Sequence, residues 1–138
     1  MSFVLDRSVA LSWCFQDEVT AGSVDMLTLA KTQPPVVPAL WHIEMSNVLG
    51  IAARKGRLSS EELEFAVNAF AAPPLTDHPS SPTGLSVSLP LMRRFNLTAH
   101  DATYLELALQ RNLPLATLDK ELLAAARQAG VALVGQSL

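Results

Sequence analysis

Short apolar runs alternate along this chain with longer stretches whose apolar residues recur at helical spacing. That alternation constrains the fold more than any other feature. Ser2-Phe-Val-Leu-Asp6, Pro34-Pro35-Val-Val37, Leu75-Thr-Asp77, Leu113-Pro-Leu-Ala-Thr117 and Val131-Ala-Leu-Val134 read as strands. Between them, helices are predicted from Thr20 to about Thr32, Pro38 to Arg57, Ser59 to about Ala72, Leu85 to Phe95, Thr98 to Arg111 and Lys120 to Ala129, with a turn or short helix over Val9 to Phe15. Strands separated by helices pair in parallel, because the helix supplies the crossover. The expected fold is therefore an α/β sandwich around a largely parallel sheet.

Local signals sharpen the boundaries. Ser59-Ser-Glu-Glu62 forms a capping box, and Gly56 and Gly130 fit helix stops. Pro38 fits an early helix position, whereas Pro90 inside its helix should kink or shorten it. Pro34 and Pro35 restrict the second strand to an edge or place them at its start. The apolar stripes are read as Val24, Leu27 and Leu29 or Ala30; then Leu40, Ile43, Val48, Leu49 and Ile51; then Ala102, Leu105 and Leu109. The polar, proline-rich stretch from His78 to Gly84 reads as the most mobile loop.

At 138 residues the chain suits a single domain spanning 1–138. Hydrophobic residues at 49% against 17% charged exclude a disordered chain. Cys14 is the one cysteine, so no internal disulfide can form, and it reads as a structural thiol. No apolar run reaches membrane-spanning length and no signal segment is visible, so a soluble cytoplasmic protein is expected. A net charge of −3 argues against a domain that coats nucleic acid by bulk charge. It leaves room for a nuclease with an acidic centre, and the clusters Arg54, Lys55, Arg57 and Arg93-Arg94 read either as local basic patches or as helix-end charge.

The chemistry-bearing candidates are acids. In open α/β sheets, sites form beyond the carboxyl ends of the strands. Asp6 and Asp119 follow strands there, and Glu44 and Asp101 lie near helix starts. Four carboxylates brought together raise one another's pKa unless a hard divalent cation such as Mg²⁺ or Mn²⁺ relieves them. Each acid also has a plainer reading: Asp6 as a turn acid, Glu44 as a solvated helix residue, Asp101 as part of a capping box with Thr98, and Asp119 as a helix N-cap. His42, His78 and His100 lack zinc-ligand spacing, although His100 adjoins Asp101. Trp13 and Trp41 read as packing residues, and Phe65 and Phe70 as core or partner-binding surface.

Four segments carry a resemblance. Phe3-Val-Leu-Asp6-Arg-Ser8-Val-Ala-Leu, Pro38-Ala-Leu-Trp-His-Ile-Glu44-Met-Ser-Asn47-Val-Leu, Leu97-Thr-Ala-His-Asp101-Ala-Thr-Tyr-Leu105-Glu-Leu-Ala and Leu115-Ala-Thr117-Leu-Asp119-Lys-Glu-Leu122 resemble the PIN domain, and within it the VapC-type toxins. The resemblance implies a three-layer α/β/α sandwich with a central, largely parallel sheet, and a Mg²⁺- or Mn²⁺-dependent endoribonuclease, the toxin of a toxin–antitoxin pair. Asp6, Glu44, Asp101 and Asp119 then match the catalytic acids, with Asp6, Asp101 and Asp119 on the metal and Glu44 coordinating or orienting the attacking water. Ser8, Asn47 and Thr117 match supporting polar residues. RNA is the implied substrate, and a homodimer and a cognate antitoxin that wraps the chain are the implied partners. His100 stands where tyrosine is usual, and no aspartate closely follows Asp119.

Two other readings compete. A phosphatase of the haloacid-dehalogenase kind wants a second acid two residues after the first, where this chain has Ser8. A phospho-receiver wants adjacent acids near the first strand. The third reading is a non-catalytic interaction module that keeps the fold and binds a partner.

Overall fold

The computed structural model describes residues 2–71, 76–78 and 84–135. Four short strands, β1 (Val4–Leu5), β2 (Val36–Pro38), β3 (Thr76–His78) and β4 (Leu115–Ala116), form one sheet in the order β3-β2-β1-β4. Every pairing is parallel, with Val4 opposite both Val36 and Leu115. The expected α/β class with a parallel sheet is thus met. The strand expected over 131–134 is reduced to a single parallel bridge between Leu115 and Leu133. Of the third expected strand, Leu75 lies outside the described residues, as does the loop over 79–83 whose mobility was expected; His78 belongs to β3.

Among the described residues, seven α-helices surround the sheet: α1 (Arg7–Ser12), α2 (Ala21–Thr32), α3 (Ala39–Arg54), α4 (Ser60–Ala71), α5 (Leu85–Phe95), α6 (Ala99–Arg111) and α7 (Lys120–Ala129). Their ends follow local chemistry. Ser59 and Glu62 exchange the two bonds of a capping box at 3.0 and 3.1 Å, and Thr20 with Ser23 forms a second. Helix α3 stops at Arg54, three residues short of expectation, where Lys55 caps it and Gly56 turns left-handed at φ 77°. Pro38 closes β2 and caps α3 rather than entering the helix. Helix α5 keeps its full length across Pro90, so the expected shortening does not occur. Asn96 and Asn112 take the left-handed conformation that ends α5 and α6, a use of asparagine the sequence reading passed over.

Helix α6 is the hub, packing on β1, β2 and β4 and on its neighbours α5 and α7. Seven of its residues are buried, from Asp101 to Ala108 with Thr103 excepted, so it is apolar-facing on nearly every side. Helix α3 lies on β2 and contacts α1 and α4. Its buried face is Trp41, Glu44, Met45, Leu49 and Ala52, while Ile43 is 68% exposed. The expected stripe through Leu40, Ile43 and Ile51 is therefore turned around the helix. Met45, Leu49 and Ala52 with Trp41 keep the same helical spacing, and choosing this face carries Glu44 inward. A similar rotation in α2 buries Ser23 and Met26 and leaves Val24 exposed, and in α6 Leu109 faces out.

Candidate functional site

Helices α1, α3, α6 and α7 begin at the carboxyl ends of the strands or beside them, and bring Asp6, Glu44 and Asp101 around Arg7, with Asp119 near enough for its charge to act on Asp101. Asp6 directly follows β1 and is fully buried. It stands at the N-cap position of α1, yet its side chain caps nothing. Its Oδ2 instead accepts hydrogen bonds from Ser8 Oγ at 2.6 Å and Thr117 Oγ1 at 2.7 Å. Ser8 Oγ also accepts from the Leu118 amide and Thr117 Oγ1 from the Asp119 amide, so the two hydroxyls fasten the end of β4 to the end of β1.

Asp101 sits in the first turn of α6. The capping reading accounts for half of what is seen, because Thr98 Oγ1 accepts from the Asp101 amide at 3.2 Å. The carboxylate does not complete the box and is buried against the other acids. Asp119 does cap α7, accepting from the Leu122 amide at 3.0 Å through Oδ1. Glu44, one turn into α3, accepts from the Tyr104 hydroxyl at 2.5 Å, and His100 Nδ1 lies 3.6 Å from its Oε2. Asn47, one turn further along α3, is exposed and takes no hydrogen-bond partner among the described residues.

Two residues at this site were not singled out from the sequence. Tyr104 is buried on α6 and holds Glu44; its signal was a polar tip on an otherwise apolar face, three residues after Asp101. Arg7 is the larger omission. Its guanidinium reaches Asp6 Oδ1 at 3.2 Å, Glu44 Oε2 at 3.3 Å and Asp101 Oδ1 at 3.5 Å. Burial works against the Arg7 charge, but the field of Asp6, Glu44 and Asp101 outweighs it and raises its pKa above the ordinary arginine value. Burial also raises the Asp101 carboxyl pKa, helped by the charges of Asp119 and Asp6 and opposed by Arg7.

One group at the site is left over. Asp101 Oδ1 is buried and has no hydrogen bond, since its approach to Arg7 has the distance of an ion pair but not the geometry of a bond. An orphaned carboxylate oxygen among all-oxygen donors suits a hard divalent cation. With Arg7 lying among them, no three His, Cys, Asp or Glu side chains of the described residues are close enough to hold an ion.

A sizeable apolar cavity lies elsewhere. About 660 Å³ opens between α1, α2 and α4, lined by Trp13, Cys14, Leu27, Phe65 and Phe70. Phe70 packs on both Trp13 and Trp41, at 6.3 and 5.4 Å between ring centres, whereas Phe65 is 76% exposed. The basic cluster is partly spoken for: Arg57 stacks on Phe15 and pairs with Asp17 and Glu18, and Arg93 and Arg94 close α5. No helix among the described residues is long and apolar enough to cross a membrane.

Comparison with known proteins places the fold. No family model matches the chain, and no curated protein matches it. Among solved structures it is similar to VapBC2 from Rickettsia felis bound to a DNA fragment from their promoter, with TM-score 0.69 and 13% identity over 96% of this chain and 97% of that one. It is also similar to FitAcB from Neisseria gonorrhoeae, with TM-score 0.64 and 18% identity over 96% of each chain. A toxin–antitoxin complex from Klebsiella pneumoniae aligns with TM-score 0.58 and 16% identity over 85% of this chain and 86% of that one. These neighbours correct the assignment drawn from the four motifs. With no family model matched and identities of 13–18%, the likeness extends to a fold found in toxin–antitoxin complexes, and membership of the PIN domain or of the VapC-type toxins does not stand.

Proposed function

We propose that this chain is a divalent-metal-dependent endoribonuclease and the toxin component of a toxin–antitoxin pair. The observation that carries the reading is the gathering of Asp6, Glu44 and Asp101 around one point at the carboxyl end of a parallel sheet, with Asp119 near enough to act on Asp101. Acids this crowded are costly to the fold, and a buried cluster without hydrogen-bond partners for every oxygen is more easily explained by a ligand than by packing. The likeness to a toxin–antitoxin complex supports a cognate partner, and the proposal takes that partner to be an antitoxin, with RNA as substrate and a homodimer as the working form. The helices fall by contact into one group of α1 to α4 and another of α5 to α7, which supports reading the fold as three layers.

In this reading Asp6, Asp101 and Asp119 hold Mg²⁺ or Mn²⁺, which when bound supplies charge neutralisation at the phosphate and a water of lowered pKa. Ser8 and Thr117 keep the Asp6 carboxylate aimed, and Tyr104 holds Oε1 of Glu44 so that Oε2, the oxygen facing Arg7, would act as proton acceptor once Arg7 is displaced. Burial of Asp6 excludes water from its far side.

The test is cleavage of RNA by purified, partner-free protein with Mg²⁺ or Mn²⁺ and with EDTA, beside Asp101→Asn. Cleavage by the wild type that vanishes in EDTA and in the variant supports the reading. Cleavage that survives in a folded Asp101→Asn protein overturns the assigned site, and cleavage of no RNA under either metal overturns the activity in favour of a non-catalytic binding module.

A further inference from the structure

We propose that Arg7 is a built-in competitor for the divalent cation: its guanidinium fills the acid cluster when no cation is bound and must leave it when one binds. The inference rests on the metal-site reading above and goes beyond it, because it concerns what the cluster does without metal.

The geometry points this way on three counts. First, Arg7 contacts Asp6, Glu44 and Asp101 at 3.2 to 3.5 Å, so a single positive group already stands at the point the three acids share. A dication on Asp6 and Asp101 would share both of these carboxylates with the guanidinium, and like charges at contact distance repel strongly in a partly buried site. Second, the fit is incomplete. Two nitrogens serve three carboxylates, and Asp101 Oδ1 is left buried without a hydrogen bond. The cluster is balanced well enough to fold but not saturated. Third, Arg7 has a way out. It is the first residue of α1, and 27% of its side chain is exposed, so rotation about its own side-chain bonds carries the charge to solvent without moving the backbone. The other groups facing the guanidinium are fixed: Asp6 by Ser8 and Thr117, Glu44 by Tyr104, with His100 on the outer side of Glu44.

Two consequences separate this arrangement from a merely structural ion pair. The chain stays folded without metal, because Arg7 supplies the neutralising charge. Its affinity for the cation is lowered by the fraction of molecules in which Arg7 has left the cluster, about tenfold where that fraction is about one in ten.

The experiment measures Mn²⁺ binding to wild type and Arg7→Gln by the electron paramagnetic resonance of free Mn²⁺, with thermal midpoints in EDTA and in Mn²⁺. In parallel, exchange of the Arg7 Nε–H proton in the wild type is followed by NMR during a Mg²⁺ titration. The expected result is Mn²⁺ binding at least roughly tenfold tighter in Arg7→Gln. That variant should also gain more in midpoint from Mn²⁺ than the wild type does, and Mg²⁺ should speed Arg7 Nε–H exchange. Equal or weaker binding by the variant, with wild-type Arg7 Nε–H exchange unchanged at saturating Mg²⁺, overturns the competition and leaves the metal site standing. If neither protein binds Mn²⁺, the metal site falls and the competition with it. Should Arg7→Gln fail to fold even in Mn²⁺, the wild-type exchange measurement decides alone.

Discussion

The Tyr104 hydroxyl donates a 2.5 Å hydrogen bond to Glu44 Oε1, joining two helices from residues 60 positions apart in the chain. Neither partner reaches water freely, since Tyr104 is fully buried and the Glu44 side chain is 8% exposed. The bond therefore sets which Glu44 oxygen is spent on the scaffold and which faces Arg7 and the site.

Removing that donor leaves a buried carboxylate oxygen unpaired. Tyr104→Phe is expected to lower stability by about 1–3 kcal/mol, read by urea unfolding at neutral pH. A loss within error of zero would show that water replaces the phenol and that Glu44 is not held. Burial and the Glu44 bond also raise the Tyr104 pKa, so the native state favours the neutral phenol. Its contribution is complete below the unfolded tyrosine value of about 10 and drains away as pH rises beyond it. Because Tyr104 is the one tyrosine in the chain, phenolate absorbance should appear together with unfolding rather than before it.

Asp101 makes the opposite kind of contribution. Burial first, then the charges of Asp119 and Asp6, raise its pKa in the fold, so the ionised carboxylate costs stability at neutral pH in the absence of metal. That cost fades as pH falls through the raised native value and is gone below the unfolded value of about 3.9. Asp101→Asn is accordingly expected to melt above the wild type in EDTA at pH 7, the gap closing as the buffer approaches roughly pH 3.5. A variant less stable than wild type at pH 7 would mean that the ion pair with Arg7 outweighs the crowding.

Cys14 lines the apolar cavity beside α4, and its thiol pKa is pushed up to about 11, by burial first and by Glu18 second. Thiolate is the reactive form, so alkylation by iodoacetamide should climb about tenfold per pH unit through mildly alkaline pH without levelling near the free-thiol value of about 8.5. The same reaction in urea should level there. A plateau near that value in the folded protein would place Cys14 in open solvent.

Much of the fold follows from signals within reach of a few residues. Ser59 and Glu62 exchange their bonds as a capping box, Gly56 and Gly130 turn left-handed after their helices, and short apolar runs separated by helices pair in parallel. Such features depend on neighbours along the chain, so the sequence carries them openly. The last strand is different. Val131 to Val134 has the composition of a strand, but β4 at Leu115 offers it a single bridge, and a strand exists only to the length its partner can pair.

What the sequence by itself determined was the class of fold, the capped ends of some of its helices and the four acids worth watching. Tertiary structure alone decided how those helices are turned. On α3 the apolar residues Ile43, Met45 and Leu49 permit more than one buried face, and packing against β2 and α1 selected the one that carries Glu44 inward and leaves Ile43 in water. It decided also that Asp6 binds hydroxyls rather than capping α1, and that Arg7, an ordinary basic residue at a helix start, lies among three carboxylates. The physical reason is range. Caps and turns are settled by hydrogen bonds over three or four residues, whereas burial and charge pairing depend on what distant segments bring into contact. For Arg7 those segments begin at β1, β2 and the turn before α6, and no spacing along the chain records that they meet.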